Sequence, residues 1–426
     1  MAYRIAGIDV HKKMVAVAIA DVEVVGTWQF ERRQIGTSPS QLRALAEWLV
    51  DRKVDEVVME STAQYWRPVW EALERGWQPR RPATDACPRA GALHLAQAQS
   101  NEGPRGRKRD FPDAERLVKR LVAQELTLSF VPCVTQRLWR TVARRKYQST
   151  CNRVQLQNRL ECLLEEMHLK LSSLVADLIG PSARRMLRAV ASGETDPAAV
   201  ASLGSRRLHA TPDQLRDALG ACTDLHPVYR RLLTLTLDEL EVIERHIHQL
   251  DEELAQLLGV HQDAVERLAA VPGLGVDSAQ QIITEVGPTA ATFSTAKRLA
   301  SWVGACPGHD ESAGVNHSHR APNGNRQMRR LLNQAANAAV KAKGSIFELV
   351  YRRLVGRLGH AQAIGAIAHR LCRLVWKILH DGVTYEERGP AVHKARAHRR
   401  AAKMIRELRS LGYCVEPVPA PSSGRA

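Results

Sequence analysis

Two apolar stripes constrain this chain more than any other feature. Leu156, Leu160, Leu163, Met167, Leu171 and Leu174 form one, and Leu240, Ile243, Ile247, Leu250, Leu254 and Leu257 form the other, both at spacings of three and four. That is heptad spacing, which requires long helices and something to cover each seam. The intervening stretch, Gly180 to Pro227, reads as glycine, proline and polar turns. The stripes therefore pair as an antiparallel hairpin, about 136–175 against 228–258, or zip two subunits together. The residues do not choose between these.

Before about Gln136 the texture is different. Arg4 to Ile8, then Val15, Val17 and Ile19 alternating with small residues, then Val22 to Phe30, read as three strands in a meander. Leu42, Leu45, Ala46 and Leu49 give an amphipathic helix within Pro39 to Asp51, Val54 to Met59 a further strand, and Tyr65 to Arg75 a second helix. A weak strand follows in Trp77 to Pro82. The order βββαβα predicts a mixed sheet covered by helices.

A third region begins near His261, where Val271-Pro-Gly-Leu-Gly275 precedes a helical run, Ser278 to Val286. More helices are expected around Leu331 to Val340 and Ala363 to Leu379. Beyond Gly389, bases at 394, 396, 399, 400, 403, 406 and 409 face one acid, Glu407. Such a run reads as a flexible, solvated tail, with nucleic-acid contact as the sharper alternative. The expected divisions are 1–135, 136–260, 261–385 and 386–426.

With 61 Lys and Arg against 45 Asp and Glu, the formal charge is +16. A chain this basic is suited to a polyanion, because neutralised phosphates release condensed counterions; a solvated cationic face is the bland alternative. At 44% hydrophobic residues the chain can bury a full core, which excludes wholesale disorder. No run approaches a membrane span, and Met1 to Asp9 lacks the pattern of a signal peptide, so a cytoplasmic protein is expected. The eight cysteines show no zinc spacing and are expected to be reduced thiols.

Four acids stand out. Asp9 ends the first strand and Glu60 ends the strand after the first helix. If those strands run parallel, both carboxylates reach one crevice at the carboxyl edge of the sheet. Asp110 and Asp113, three apart at a helix start, share one helix face. Oxygen ligands converging in this way suit Mg²⁺, and a pair of ions about 3.5 to 4 Å apart can clamp both oxygens of an in-line phosphoryl displacement. Asp9, Glu60 and at least one of Asp110 and Asp113 should then lie within about 8 Å of one another. Acids are also common at strand ends and helix starts for electrostatic reasons alone, and Asp21 and Asp85 look locally similar.

Gly7-Ile8-Asp9-Val10-His11-Lys12, Val58-Met59-Glu60-Ser61-Thr62 and Arg107-Lys108-Arg109-Asp110-Phe111-Pro112-Asp113-Ala114 resemble the three N-terminal motifs of the insertion-sequence one-ten family. These are transposases of the DEDD type, related to the Piv DNA invertase. The resemblance extends over about residues 3 to 385, with a variable helical middle. It implies an α/β RuvC-like (RNase H-like) N-terminal domain, a long helical coiled-coil region, and a mainly α C-terminal domain with a helix-hairpin-helix-like motif. Arg109 stands where the family has threonine. The resemblance also implies Mg²⁺ on Asp9, Glu60, Asp110 and Asp113, DNA as substrate, a structured guide RNA made from the element's own ends, and a dimer or tetramer. Lys108 and Arg109 would contact nucleic acid.

Ser312 lies in Val303 to Gly314, ahead of a stretch with Arg320, Arg326, Arg329, Arg330 and no acid. Taken alone it is an ordinary loop serine; guanidinium groups nearby would let it attack phosphorus. The resemblance makes it the nucleophile, with Ala313 set between it and Gly314, and makes the acids and the serine one composite active site. His317 and His319 are nearby candidates for a base. Gly273 and Gly275 resemble the helix-hairpin-helix turn that lets backbone N–H groups reach a DNA phosphate.

Other classes remain open from the residues alone: a nuclease or junction resolvase using the acids and water, an actin-like ATPase or sugar kinase, and a non-catalytic nucleic-acid-binding protein. The second lacks a further glycine-rich phosphate loop.

Overall fold

Alternation of side chains decides the architecture of the first unit. In the computed structural model, which describes residues 3–22, 28–61, 63–77, 93–101, 110–205, 207–306, 311–312, 315–316 and 321–410, the chain divides into two compact units, 1–133 and 134–426. In the first, β1 (Tyr3–Val10), β2 (Met14–Val22) and β3 (Glu31–Gly36) form a meander, but its third strand lies beyond the Val22–Phe30 run that the sequence suggests: Val22 ends β2 and residues 28–30 are not strand. Helix α1 (Pro39–Asp51) leads to β4 (Glu56–Ser61), which pairs parallel to β1, and α2 (Trp66–Gly76) leads to β5 (Leu93–Ala96), parallel to β4. Helix α3 (Asp110–Val122) precedes the short antiparallel β6 (Leu128–Ser129), giving the order β3-β2-β1-β4-β5-β6. The weak strand expected over Trp77 to Pro82 lies, after Trp77, outside the described residues.

Even-numbered residues of β1 (Ala6, Ile8, Val10) and odd-numbered residues of β2 (Val15, Val17, Ile19) pack against Leu45 and Leu49 of α1 and Val69 and Leu73 of α2. The other face carries Ile5 with Val118, and Val58 and Ala96 with Leu117, so α3 covers it. Burial of these side chains, at about 1.5–3 kcal/mol each, is the main term holding the layers together.

The second unit opens with α4 (Val134–Glu166). Four shorter elements follow: a 3₁₀ turn at Leu171–Ser173, then α5 (Pro181–Ala191), α6 (Pro197–Ser202) and α7 (Pro212–Ala218). Helix α8 (Pro227–Leu257) pairs with α4, and the ion pairs Arg153–Glu244 and Lys146–Asp251 fix the sense, since α4 numbers fall as α8 numbers rise. The pair is antiparallel within one chain. Two expectations need correction. The first stripe is not one helix, because α4 ends at Glu166 and Leu171 enters the 3₁₀ turn. The stretch read as turns holds three helices, whose prolines 181, 197 and 212 stand at the first helical turn, where a missing N–H costs nothing. Met186, Leu187, Val190 and Leu215 from these helices close a core over Leu156, Leu160 and Leu164 of α4 and Leu233, Leu237 and Leu240 of α8.

Helices α9 (Gln262–Ala269), α10 (Val276–Val286) and α11 (Ala296–Val303) come next, then a two-stranded hairpin of β7 (Glu311–Ser312) and β8 (Val315–Asn316). Helix α12 (Arg326–Ala339) is followed by α13 (Ile346–Asp381), which bends at Gly359 (φ 74°). The basic segment expected as a flexible tail forms α14 (Gly389–Ser410); 411–426 lie outside the described residues. No described helix is long and apolar enough to cross a membrane.

Candidate active site

Strand register brings the first two acids together. Asp9 and Glu60 are paired residues of the parallel strands β1 and β4, both near the carboxyl ends. Asp9 shares the face of Ile5 and Gly7, and Glu60 that of Val58, which is the face α3 covers. Gly7 makes the third acid reachable. A Cβ there would overlap the Ala114 carbonyl oxygen, so only glycine lets α3 lie this close to the sheet. The helix begins at Asp110, and its first turn carries Asp110 and Asp113 to the strand ends.

Asp9 is mostly buried, with a side chain 15% exposed. Burial raises its carboxyl to about 6; His11 opposes the shift, while Glu60, Asp113 and Asp110 add to it. His11 Nε2 lies 3.2 Å from Asp9 Oδ2 and 3.3 Å from Asp110 Oδ1. One ligand atom each from Asp9, His11 and Asp110 lie within 4.8 Å of one another. The 3.2 and 3.3 Å separations lie near the roughly 3 Å between adjacent ligands of a six-coordinate cation with Mg²⁺–O distances of about 2.1 Å. Two carboxylates, one of them mostly buried, and an imidazole are a donor set that a divalent cation would complete.

A second layer ties the other two acids. Asn101, 3% exposed, donates from Nδ2 to Glu60 Oε2 at 2.5 Å. Its backbone carbonyl accepts from Arg116 at 3.1 Å, and Arg116 in turn pairs with Asp113 Oδ1 at 2.8 Å. Glu60 and Asp113 are thus held by one connected set of side chains. In the sequence His11 stands out only within the first motif, and nothing marks Asn101 or Arg116. His11 was detectable, lying two residues from Asp9 on the same strand-end face; Asn101 carries no signal, because it acts from a 3₁₀ turn. Lys108, Arg109 and the decoy Asp85 lie outside the described residues. Asp21, the other decoy, is paired with Arg4 at 2.7 Å, away from the acids on the same sheet. A cavity of about 460 Å³ lined by Tyr3, Glu56 and His94 sits at the opposite ends of β1 and β4 and holds none of the candidate residues.

In the second unit Ser312 ends β7, its backbone paired with Val315, so Ala313 and Gly314 alone connect the strands. Arg320, His317 and His319 lie outside the described residues. The hairpin rises from a tight neck. Gly304 (φ 72°) leaves only 2.6 Å between a Cβ and the Pro322 carbonyl oxygen, a Cβ on Gly324 would overlap Val303, and Asn325 N–H donates to Trp302 at 3.0 Å. Asn325 caps α12 by accepting from Met328 N–H at 3.0 Å and donates to buried Glu285 at 2.8 Å. Glu285 also meets Arg140 at 3.3 Å and Arg144 at 3.0 Å.

The expected basic cradle divides. Arg326 is exposed at the start of α12, whereas Arg329 donates to Pro322 at 3.1 Å and Arg330 stacks 4.0 Å over Tyr147 while donating to Gln281. The glycine turn divides too. Gly273 (φ 87°) is pressed against Ala335 and Ala339 of α12, while Gly275 caps α10 with open space beside it.

Comparison with known proteins agrees with both units. Residues 6–169 match the family model of DEDD-type IS110 transposases, and residues 265–352 match the one described as the transposase IS116/IS110/IS902 family. An uncharacterised 43.6 kDa protein of insertion element IS110 from Streptomyces coelicolor is 28% identical over 255 residues, 55% of this chain and 60% of that protein. An uncharacterised 44.8 kDa protein of IS116 from Streptomyces clavuligerus is 25% identical, over 40% of this chain and 43% of its own length. One of IS900 from Mycobacterium paratuberculosis is 26% identical, over 34% and 37%. The chain thus spans at most three-fifths of these relatives.

Proposed function

Because the chain belongs to the IS116/IS110/IS902 family of transposases, we propose that it cuts and rejoins DNA to move its own insertion sequence, as a cytoplasmic protein. The meeting of Asp9 and Asp110, from a strand end and a helix start, within the segment matching the DEDD model is the observation that carries this reading. The N-terminal unit is read as a RuvC-like domain in which Asp9, Glu60, Asp110 and Asp113 hold Mg²⁺. Bound there, the cation would neutralise charge on the scissile phosphate and on the leaving oxygen.

Ser312 is the proposed nucleophile. Its Oγ attacks phosphorus, a phosphoserine ester forms, and the displaced strand end leaves as a hydroxyl that takes up a proton. Attack by that hydroxyl or another strand end on the phosphoserine restores a DNA linkage, so no external energy is needed. Arg326, with Arg320, Lys108 and Arg109, would hold phosphates, and Gly275 at the start of α10 would offer its helix N-terminus to another. A structured RNA from the element's ends is the proposed guide, for which +16 is suited. The exposed apolar residues Leu232, Leu235 and Val242 of α8 support assembly into a dimer or tetramer.

Labelled element-end DNA and RNA incubated with the full chain and Mg²⁺, then quenched in denaturant, tests this. A covalent protein–DNA adduct lost in Ser312→Ala is expected. Free cleaved DNA from that variant would instead establish a water-using nuclease.

A further inference from the structure

We propose that His11 is a direct ligand, through Nε2, of the divalent cation held by Asp9 and Asp110. The inference rests on the metal-site reading above and extends it to a residue outside the four acids.

The turn fixes where the imidazole goes. His11 N–H donates to the Met14 carbonyl at 2.9 Å, closing the β1–β2 connection directly after Val10. Residues two apart on a strand face the same way, so His11 continues the face of Asp9 toward the start of α3. There Nε2 sits almost equally far from an oxygen of each aspartate, at 3.2 and 3.3 Å. A histidine serving only as an ion-pair partner would aim an N–H along one of these lines. His11 does not: Nε2 is shielded from solvent yet makes no hydrogen bond among the described residues. A ring nitrogen and two carboxylate oxygens within 4.8 Å of one another can instead close on one cation.

The chemistry has a consequence for metal choice. Carboxylate sites suit Mg²⁺ and Mn²⁺ alike, whereas imidazole adds affinity for transition ions and little for Mg²⁺. A site with His11 should therefore favour Mn²⁺ over Mg²⁺ more strongly than an oxygen-only site would.

Pulsed electron paramagnetic resonance on the full chain loaded with Mn²⁺ tests this directly. The expected result is nitrogen coupling at the bound ion that changes from ¹⁴N to ¹⁵N when histidine alone is ¹⁵N-labelled, and that His11→Ala abolishes. Mn²⁺ affinity should fall at least about tenfold in that variant, with Mg²⁺ affinity falling less. Because the labelled wild-type chain carries the main readout, poor folding of His11→Ala does not rescue the idea. Mn²⁺ bound in an Asp9-dependent way without nitrogen coupling, or coupling unchanged in His11→Ala, overturns the ligand assignment and leaves the acid site standing. Absence of any Asp9-dependent Mn²⁺ binding overturns both.

Discussion

Gly7 of β1 and Ala114 of α3 touch main chain to main chain, with no room for a single methyl group between them. This seat sets how far α3 stands from the sheet, and so where its first turn, with Asp110 and Asp113, meets the end of β1.

Gly7→Ala should therefore do more than destabilise. Overpacking at this contact is expected to cost about 1–3 kcal/mol in urea unfolding. Because α3 must retreat to admit the methyl group, Mn²⁺ affinity should fall as well. Wild-type affinity in a folded Gly7→Ala chain would mean that the acids do not depend on this seat.

Asp9 gives a pH signature. Its folded-state value of about 6 lies above the ordinary 3.8, so the folded protein keeps a proton that the unfolded chain has released. The stabilisation is present at low pH and is lost as pH rises from about 4 to about 6. Metal-free Asp9→Asn should be more stable than wild type above pH 6, by about 1–2 kcal/mol, with the gap closing toward pH 4. Excess Mg²⁺ should shrink the gap by stabilising wild type alone. A metal-free wild type that is the more stable of the two at pH 7 would refute the burial argument.

Much of the first unit was legible because its signals are local. Alternation marked β1 and β2, and the parallel pairing of Asp9 with Glu60 followed from strand–helix–strand order. The closeness of α3 was not legible, since a glycine in a strand does not announce which helix will press on it. In the second unit the antiparallel pair of α4 and α8 was one of two readings. Ion pairs such as Arg153–Glu244, which decide it, join residues that sequence places 91 apart. The short helices α5 to α7 were missed because at 6 to 11 residues they hold few periodic positions, and their prolines read as turns rather than starts. Sequence gives the charge of Arg329 and Arg330 but not their neighbours, the Pro322 carbonyl and the Tyr147 ring.

Asn101→Ala removes the amide that orients Glu60. The chain should stay folded, while divalent affinity falls by about 10- to 100-fold, as when second-layer partners of metal ligands are lost. Isothermal titration with Mn²⁺ measures it, and an unchanged isotherm would show Glu60 to be outside the metal's reach.

Glu285→Ala should be among the costliest changes in the second unit. It leaves Arg140, only 8% exposed, without its buried carboxylate, and about 3–5 kcal/mol is expected in urea unfolding. Glu241→Ala, which loosens the exposed pair with Arg188, should cost under about 1 kcal/mol. Equal losses would mean that Glu285 is solvated in solution.

The neck at Gly304, Pro322 and Gly324 fixes where the segment bearing the serine hairpin leaves and rejoins the helices. Its closure is made by residues on either side of the serine hairpin, through backbone contacts and the bond from Asn325 to Trp302. The contacts that close the neck are thus all made by residues outside 307–320. Substitution at Ala313 should then leave the neck's own contacts in place. Both ends of the segment that carries the hairpin are anchored by backbone fit alone, whatever its turn contains.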